Sequence, residues 1–439
     1  MTESSIDRSS WRKRTIAIGS AVVAAVALKA LLLFVAIPYL HNESPSTYQA
    51  EKFPDWYDLI ALNLAEGNGY RFFPDTTETM LRTPGWVIVL AGIFSVFGKS
   101  LTATKVFNLI FSIATACLVY VLGKKVTDSS RLGLLAAAIT FLHPAILVAD
   151  SRGGAESLLT LVIVAFMLMI YRALETAAIT DYLIAGTVLG VGLIIKSTVA
   201  LFPPVLFLYL IGWRPNAAEI RSAAIRVGAV VLAASAVLSP WIARNYVLSG
   251  EFVPTMSVGG KAAYEGLYIA THMHTGREHY LLVEDAASKE NLIAQQMGLK
   301  FKAGYYPQFY SISDEVRFYS HLGDIVKKQY IEQPEVLFDA IGFNARGFWV
   351  QGRTVKATTL NMVLVIPFLS LAIWGTYVAW RQSLMIGPIV LFMVTFFAAH
   401  VAILGQARYH VPLIPLLAIL VCIPLGSMMG SVPLKIKHR

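Results

Sequence analysis

Ten apolar runs divide this chain, at 15–38, 104–123, 132–149, 155–172, 181–195, 198–213, 222–243, 358–380, 385–404 and 409–430. Each is near the length of a helix that crosses a bilayer, about 20 residues. Their recurrence predicts an all-α polytopic membrane protein with about ten transmembrane helices. Composition agrees: 56% of residues are hydrophobic and 14% charged, where a soluble domain carries about 25% charged. The deficit runs the whole length, which excludes a single anchor on a soluble body. The net charge of +9 comes from basic residues lying mainly between the apolar runs. That distribution marks topology and speaks against a nucleic-acid partner. Cys117 and Cys422 both sit inside apolar runs and suggest neither a disulfide framework nor a metal site. Arg8, Arg12, Lys13 and Arg14 precede a first run too long for a signal-peptide core, so it reads as a retained anchor.

Sidedness follows from positive charge, which collects in short cytoplasmic loops. The tail before the first span is basic. So are the loop with Lys124, Lys125 and Arg131, then Arg172, the stretch Arg214 to Arg226, Arg381, and the tail with Lys435, Lys437 and Arg439. All fall on one side only if the short apolar run 84–98 does not cross fully. As a helix that run reaches about 22 Å, against a hydrocarbon core of about 30 Å. It is therefore expected to be re-entrant or interfacial, with an ordinary short span as the alternative. Both termini are then cytoplasmic. Asp55, Asp58, Asp150, Arg152, Glu156, Lys196, Arg244 and Arg408 all reach the opposite, outer side. Ionisable groups at span ends are costly and by default mark a functional site. A mixed-charge site suits a phosphate-bearing substrate whose reaction needs a base.

Three regions result. Residues 1–243 form an N-terminal transmembrane module whose first outer loop is 39–103. Residues 244–357 form an extracytoplasmic segment, and 358–439 carry the last three spans and a short basic tail. In the first loop, Pro54-Asp55-Trp56-Tyr57-Asp58 leads into a short surface helix that Gly67 should stop, followed by an Asn68-Gly69 turn. Asp55 stands at a plausible N-cap with Asp58 at the third helical position. The alternative is a base whose partial desolvation at the bilayer edge raises its basicity. The 244–357 segment carries Tyr264, Tyr268, Tyr280, Tyr305, Tyr306, Tyr310, Phe348 and Trp349, which read as an interface belt or sugar-stacking surface. His272, His274 and His279 lack carboxylates at metal-ligand spacing. A helical stretch over 314–350 is expected to lie over the outer face as a lid. The sequon Asn42-Glu43-Ser44 in the first outer loop carries little weight.

Several motifs follow one another along the chain. Tyr57-x-x-x-Ala61-x-Asn63-Leu64-x-x-Gly67-x-Gly69-Tyr70 is followed by Arg82-Thr83-Pro84-Gly85 and Phe97-Gly98. Then come His143-Pro144 with Glu156 downstream, and Lys196-Ser197-Thr198. Pro240-Trp241-x-x-Arg244-Asn245-Tyr246 precedes Gly250-x-Phe252-Val253-Pro254, and Arg408-Tyr409-x-x-Pro412-x-x-Pro415 opens the last run. Together these make the chain resemble the GT-C class of integral-membrane glycosyltransferases. That class includes protein O-mannosyltransferases and the aminoarabinose transferases of lipid A. The chain departs from the pattern in two places. Many relatives carry the first-loop acid three or four residues before the tyrosine matching Tyr57, whereas Asp55 sits two before it and Asp58 just after. Lys196 stands where many relatives have arginine, keeping the charge and losing the fork geometry.

The resemblance implies sugar transfer from a polyprenyl-phosphate donor to an acceptor hydroxyl or amine at the outer face. Asp55, or Asp58, would be the general base. Asp150 or Glu156 would hold or polarise the acceptor. Arg82, Lys196, Arg244 and Arg408 would bind the donor phosphate and offset charge on the leaving group. No obligatory cofactor is expected, with a divalent cation as the open alternative. Lipid, glycan and protein acceptors stay open. The setting is read as a bacterial cytoplasmic membrane with the site facing outward. The alternative function is a transporter or flippase of lipid-linked sugars, against which stand the lack of an internal repeat and the charges at span ends.

Overall fold

The computed structural model describes residues 6–37 and 53–428. The Asn42-Glu43-Ser44 sequon and the basic tail with Lys435, Lys437 and Arg439 lie outside the described residues. Within them the protein is α-helical apart from a two-residue antiparallel pairing, Phe301 against Phe309 and Lys302 against Gln308. Six helical stretches are long and apolar enough to cross a bilayer: Gly19–Ala36, Leu101–Thr127, Glu156–Thr176, Ala217–Ser249, Val355–Arg381 and Ala407–Gly426. The pair Ser130–Leu142 and Pro144–Asp150, bent by 52°, makes a seventh when its two helices are taken as one span. The other expected spans fall on the shorter apolar helices Ile179–Ile195, Ser197–Ile211 and Gly387–Val401.

Local chemistry sets the helix ends. Asn216 and Glu219 form a reciprocal capping box at the start of the 33-residue Ala217–Ser249 helix, each side chain accepting the other's backbone N–H at 2.9 Å. That helix stops at Gly250, whose φ of +72° closes the last turn in the left-handed region. The 52° bend falls at His143-Pro144, where proline removes the N–H a continuing helix needs. His143 Nδ1 accepts the Ala145 N–H at 3.2 Å and restarts the ladder. The Pro84–Phe97 helix has 14 residues, roughly 21 Å of rise, too short to cross unaided. Its Trp86 is fully buried and donates to the Gly153 carbonyl at 2.8 Å.

The 244–357 segment contributes the helices Gly259–His272, His279–Gln296, Ile312–Glu332 and Pro334–Val350. They do not form a detached layer. Tyr306, Phe309, Phe318, Tyr319 and Leu322 belong to the same buried cluster as Trp86, Phe166, Phe202 and Phe392 of the apolar helices. The aromatic end of the stretch expected to act as a lid is seated in the helix packing. Phe348 is fully buried and packs edge-on to Phe397 at 5.2 Å, with the rings of His400 and His410 beside it. An aromatic pair with that much apolar surface gains more from the helix packing than from a solvent-facing cover.

Candidate active site

Asp55 and Trp56 both adopt left-handed backbone angles, φ +66° and +59°. For residues other than glycine each such turn costs about 1–3 kcal/mol and persists only where the surroundings dictate it. Here they do. Phe53 is buried edge-on to Phe94 at 5.9 Å. Trp56 meets the edges or faces of Phe72, Phe73, Tyr305 and Tyr306 with centroids 5.5–6.4 Å apart. Arg82 Nε donates to the Asp55 carbonyl at 3.0 Å. The helix cap expected for Asp55 is therefore not made: Tyr57–Ala65 starts from Trp56 with no side-chain cap. The left-handed turn points the Asp55 carboxylate away from the helix N–H groups.

That carboxylate lies among cations from distant parts of the chain. Arg408 grips it with both terminal nitrogens, Nη1 to Oδ2 at 3.0 Å and Nη2 to Oδ1 at 3.0 Å. Arg82 Nη2 stands 3.5 Å from Oδ1, and the Tyr306 hydroxyl donates to Oδ1 at 3.2 Å. The Arg82 guanidinium also lies over the Tyr306 ring at 4.5 Å. Burial pushes the Asp55 carboxyl up, but Arg408 and then Arg82 outweigh it and hold the group well below the usual carboxylate range. Glu156 Oε1 lies 3.9 Å from Arg408 Nη1. The Lys196 ammonium sits 3.7 Å over the Tyr409 ring and has no ion-pair partner within 4 Å among the described residues. Burial, with Arg408 and Arg82 nearby, lowers Lys196 to about 8 against the opposing pull of Glu156 and Asp55.

Of the eight residues read from the sequence, Asp55, Arg82, Glu156, Lys196 and Arg408 come together. The other three are engaged elsewhere. Asp58 is buried and paired with Lys99 Nζ at 2.6 Å. Asp150 is fully buried, 2.7 Å from Lys29 Nζ, and accepts from Ser112 and Ser157 hydroxyls at 2.5 and 2.6 Å. Arg244 bonds Glu78 at 3.0 Å and the Thr79 carbonyl at 3.0 Å, with its guanidinium over the rings of Tyr70 and Trp241. Arg244 thus ties the loop after Gly69 to the Ala217–Ser249 helix.

Sequence reasoning read Tyr306 only as part of an aromatic belt and did not single out Lys29, Lys99, Glu265 or Gln406. Lys29 carried a signal, a cation midway along an apolar run, which needs a partner at membrane depth. The others had none, because their partners are set by tertiary packing. Among the described residues no group of three or more His, Cys, Asp or Glu side chains could hold a metal ion. The three cations around Asp55 suit a phosphate, which guanidinium and ammonium groups bind by charge-assisted hydrogen bonds.

This polytopic apolar bundle shares its fold with solved membrane oligosaccharyltransferases. Residues 82–243 match the family described as dolichyl-phosphate-mannose-protein mannosyltransferase. The chain superposes on the oligosaccharyltransferase AglB from Archaeoglobus fulgidus, in complex with an inhibitory peptide and a dolichol-phosphate. The TM-score is 0.54 at 13% identity, over 96% of this chain and 51% of that one. It also superposes on an Archaeoglobus fulgidus oligosaccharyltransferase tethered with an acceptor peptide, at TM-score 0.55 and 16% identity, over 96% of this chain and 50% of that one. The chain thus spans about half the length of these two proteins. A weaker similarity is to ArnT from Cupriavidus metallidurans bound to undecaprenyl phosphate, at TM-score 0.40 and 13% identity, over 94% and 79% of the two chains. No curated protein sequence matches the chain.

Proposed function

We propose that this protein transfers a sugar from a polyprenyl-phosphate donor to an acceptor hydroxyl or amine. The setting we assign is the extracytoplasmic face of a bacterial cytoplasmic membrane. The observation that carries this reading is the convergence of one carboxylate, Asp55, with Arg82, Arg408 and Lys196. The mannosyltransferase family match over 82–243 supports the reaction class, and the dolichol-phosphate in the AglB complex supports the class of donor.

In this reading the acceptor oxygen or nitrogen attacks the anomeric carbon and its proton passes to Asp55. The bond from that carbon to the phosphate oxygen breaks, and its electron pair leaves on the polyprenyl phosphate. Arg408, Arg82 and Lys196 offset the charge that develops there. A phosphate is a good leaving group, so positioning, a base and a cationic clamp suffice, and transfer is proposed to need no cofactor. Glu156, 3.9 Å from Arg408, is the residue proposed to hold the acceptor. Because Asp55 occupies both terminal nitrogens of Arg408, phosphate and carboxylate compete for the same guanidinium. A donor phosphate that takes Arg408 releases Asp55 from the contact that most depresses its basicity.

The test is a transfer assay with the full chain reconstituted in vesicles, a panel of polyprenyl-phosphate sugars and a membrane extract as acceptor source. Consumption of one donor with sugar appearing on an extract component, undiminished by a chelator, is the expected result. Movement of donor across the bilayer without cleavage would replace this reading with a transporter.

A further inference from the structure

We propose that Glu265 is a positioning residue for Arg408, acting through Gln406; this rests on the reading of Arg408 as a donor-phosphate ligand. Arg408 follows a tight turn that leaves the Gly387–Val401 helix. Two helices of the 244–357 segment close on that turn at backbone contact. A Cβ on Gly266 would meet the Ile403 carbonyl oxygen at 2.3 Å, and one on Gly405 would meet the Asn344 carbonyl oxygen at 1.9 Å. Asn344 completes the clasp, donating to the Val401 carbonyl at 3.1 Å and accepting from the Gly405 N–H at 3.1 Å.

With the backbone held, one side chain sets the direction of the guanidinium. Glu265 is 3% exposed. Its Oε2 accepts from Lys261 Nζ at 2.9 Å and the Tyr305 hydroxyl at 3.0 Å, and its Oε1 accepts from Gln406 Nε2 at 3.4 Å. Both Glu265 oxygens act as acceptors here, with the Lys261 ammonium and the Tyr305 hydroxyl on Oε2. Gln406 must therefore turn its NH2 group to Glu265 and its carbonyl to Arg408, whose Nε donates to it at 3.0 Å. With Nε committed, the planar guanidinium presents Nη1 and Nη2 together to Asp55. The same carboxylate braces the second arm of the site. Tyr305, which it anchors, is followed in the chain by Tyr306, which donates to Asp55 Oδ1. Among the described residues no hydrogen bond or ion pair joins Glu265 to Asp55 itself.

The test measures affinity of the full chain in lipid nanodiscs for polyprenyl phosphate, with no sugar or acceptor present. Glu265→Gln keeps the shape but replaces one acceptor oxygen by an NH2 and removes the charge, so the hold on the Gln406 NH2 group is weakened or lost. The expected loss is roughly tenfold, about 1.4 kcal/mol. In an Arg408→Lys background, which has no Nε–H fork to orient, Glu265→Gln should cause no further loss. A purely structural role would give the same tenfold drop in both backgrounds and would overturn the proposal, as would wild-type affinity in Glu265→Gln. Gln406→Met removes the link from the other side and should match Glu265→Gln; if Glu265→Gln does not fold, wild-type affinity in Gln406→Met overturns the proposal. Wild-type protein that binds no polyprenyl phosphate would remove the donor reading and this inference together. Tight binding unaffected by these variants would remove only the inference.

Discussion

Replacing Asp55 by asparagine separates the two jobs assigned to its carboxylate. The Arg408 contacts are both 3.0 Å, and the side chains are 22% and 23% exposed. At that separation the attraction is about 5 kcal/mol at an effective dielectric of 20 and about 1.4 kcal/mol in bulk water. Partial exposure puts the true value between these limits. A donor phosphate that takes Arg408 must give up that attraction in the wild type, but not in Asp55→Asn. Taking the lower limit, polyprenyl phosphate should bind the variant at least tenfold tighter. Transfer should fall by roughly a hundredfold to ten-thousandfold, the usual contribution of a general base. Binding is read in nanodiscs by the change in tryptophan emission, since Trp56 adjoins the site, and transfer by sugar appearing on acceptor. Unchanged or weaker phosphate binding in Asp55→Asn would refute competition for Arg408. Transfer within tenfold of wild type would refute the base assignment.

Three further outcomes follow from the geometry. Lys196 is lowered to about 8, so it loses its charge as pH rises through that value, and donor KM should climb above about pH 8. Lys196→Arg should abolish that rise, because a guanidinium stays protonated there. Lys29→Met leaves the fully buried Asp150 without its cation and should cost about 3–5 kcal/mol of stability in thermal unfolding. Adding Asp150→Asn should recover most of that loss, because the buried charge is gone, one of Ser112 and Ser157 can donate to the amide oxygen and the other can accept from the amide NH2. Arg244→Lys should lower the melting temperature by loosening the Glu78 and Thr79 contacts, while polyprenyl-phosphate affinity stays within twofold.

The helical architecture was legible because bilayer-length apolar runs have one structural solution in lipid. The bend at His143-Pro144 and the helix end at Gly250 were not read from the apolar runs, which pass unbroken through 132–149 and end at 243, although proline and glycine chemistry fixes both locally. The site was half legible. Asp55, Glu156, Lys196 and Arg408 could be named because charge near a span end is conspicuous, and Arg82 only through the resemblance. Their pairing could not be read, since Arg408 and Asp55 are 353 positions apart and no spacing rule links them. Asp58, Asp150 and Arg244 had the same outward signature and proved to be bonded to Lys99, Lys29 and Glu78. A charge at a span end announces that a partner exists, and only the packed structure says whether the partner is protein or substrate. The left-handed turn at Asp55 was invisible for a related reason. Its cause is the aromatic surround of Trp56, drawn from Phe72, Phe73, Tyr305 and Tyr306, and not the local preference of Asp-Trp.

The distance in sequence between Asp55 and its principal counter-ion also sets an order of events at the ribosome. A chain grows at about 5–20 residues per second, so the 353 positions separating the pair take on the order of tens of seconds to translate. Through that interval the nascent carboxylate has Arg82 and not Arg408, and for most of it, until Tyr305 and Tyr306 are made, the turn at Asp55 and Trp56 lacks two of its walls. The cluster around Asp55 is therefore complete only after Arg408 has been made. A chain stalled before residue 408 would display a membrane bundle with an acid that has not yet met its clamp.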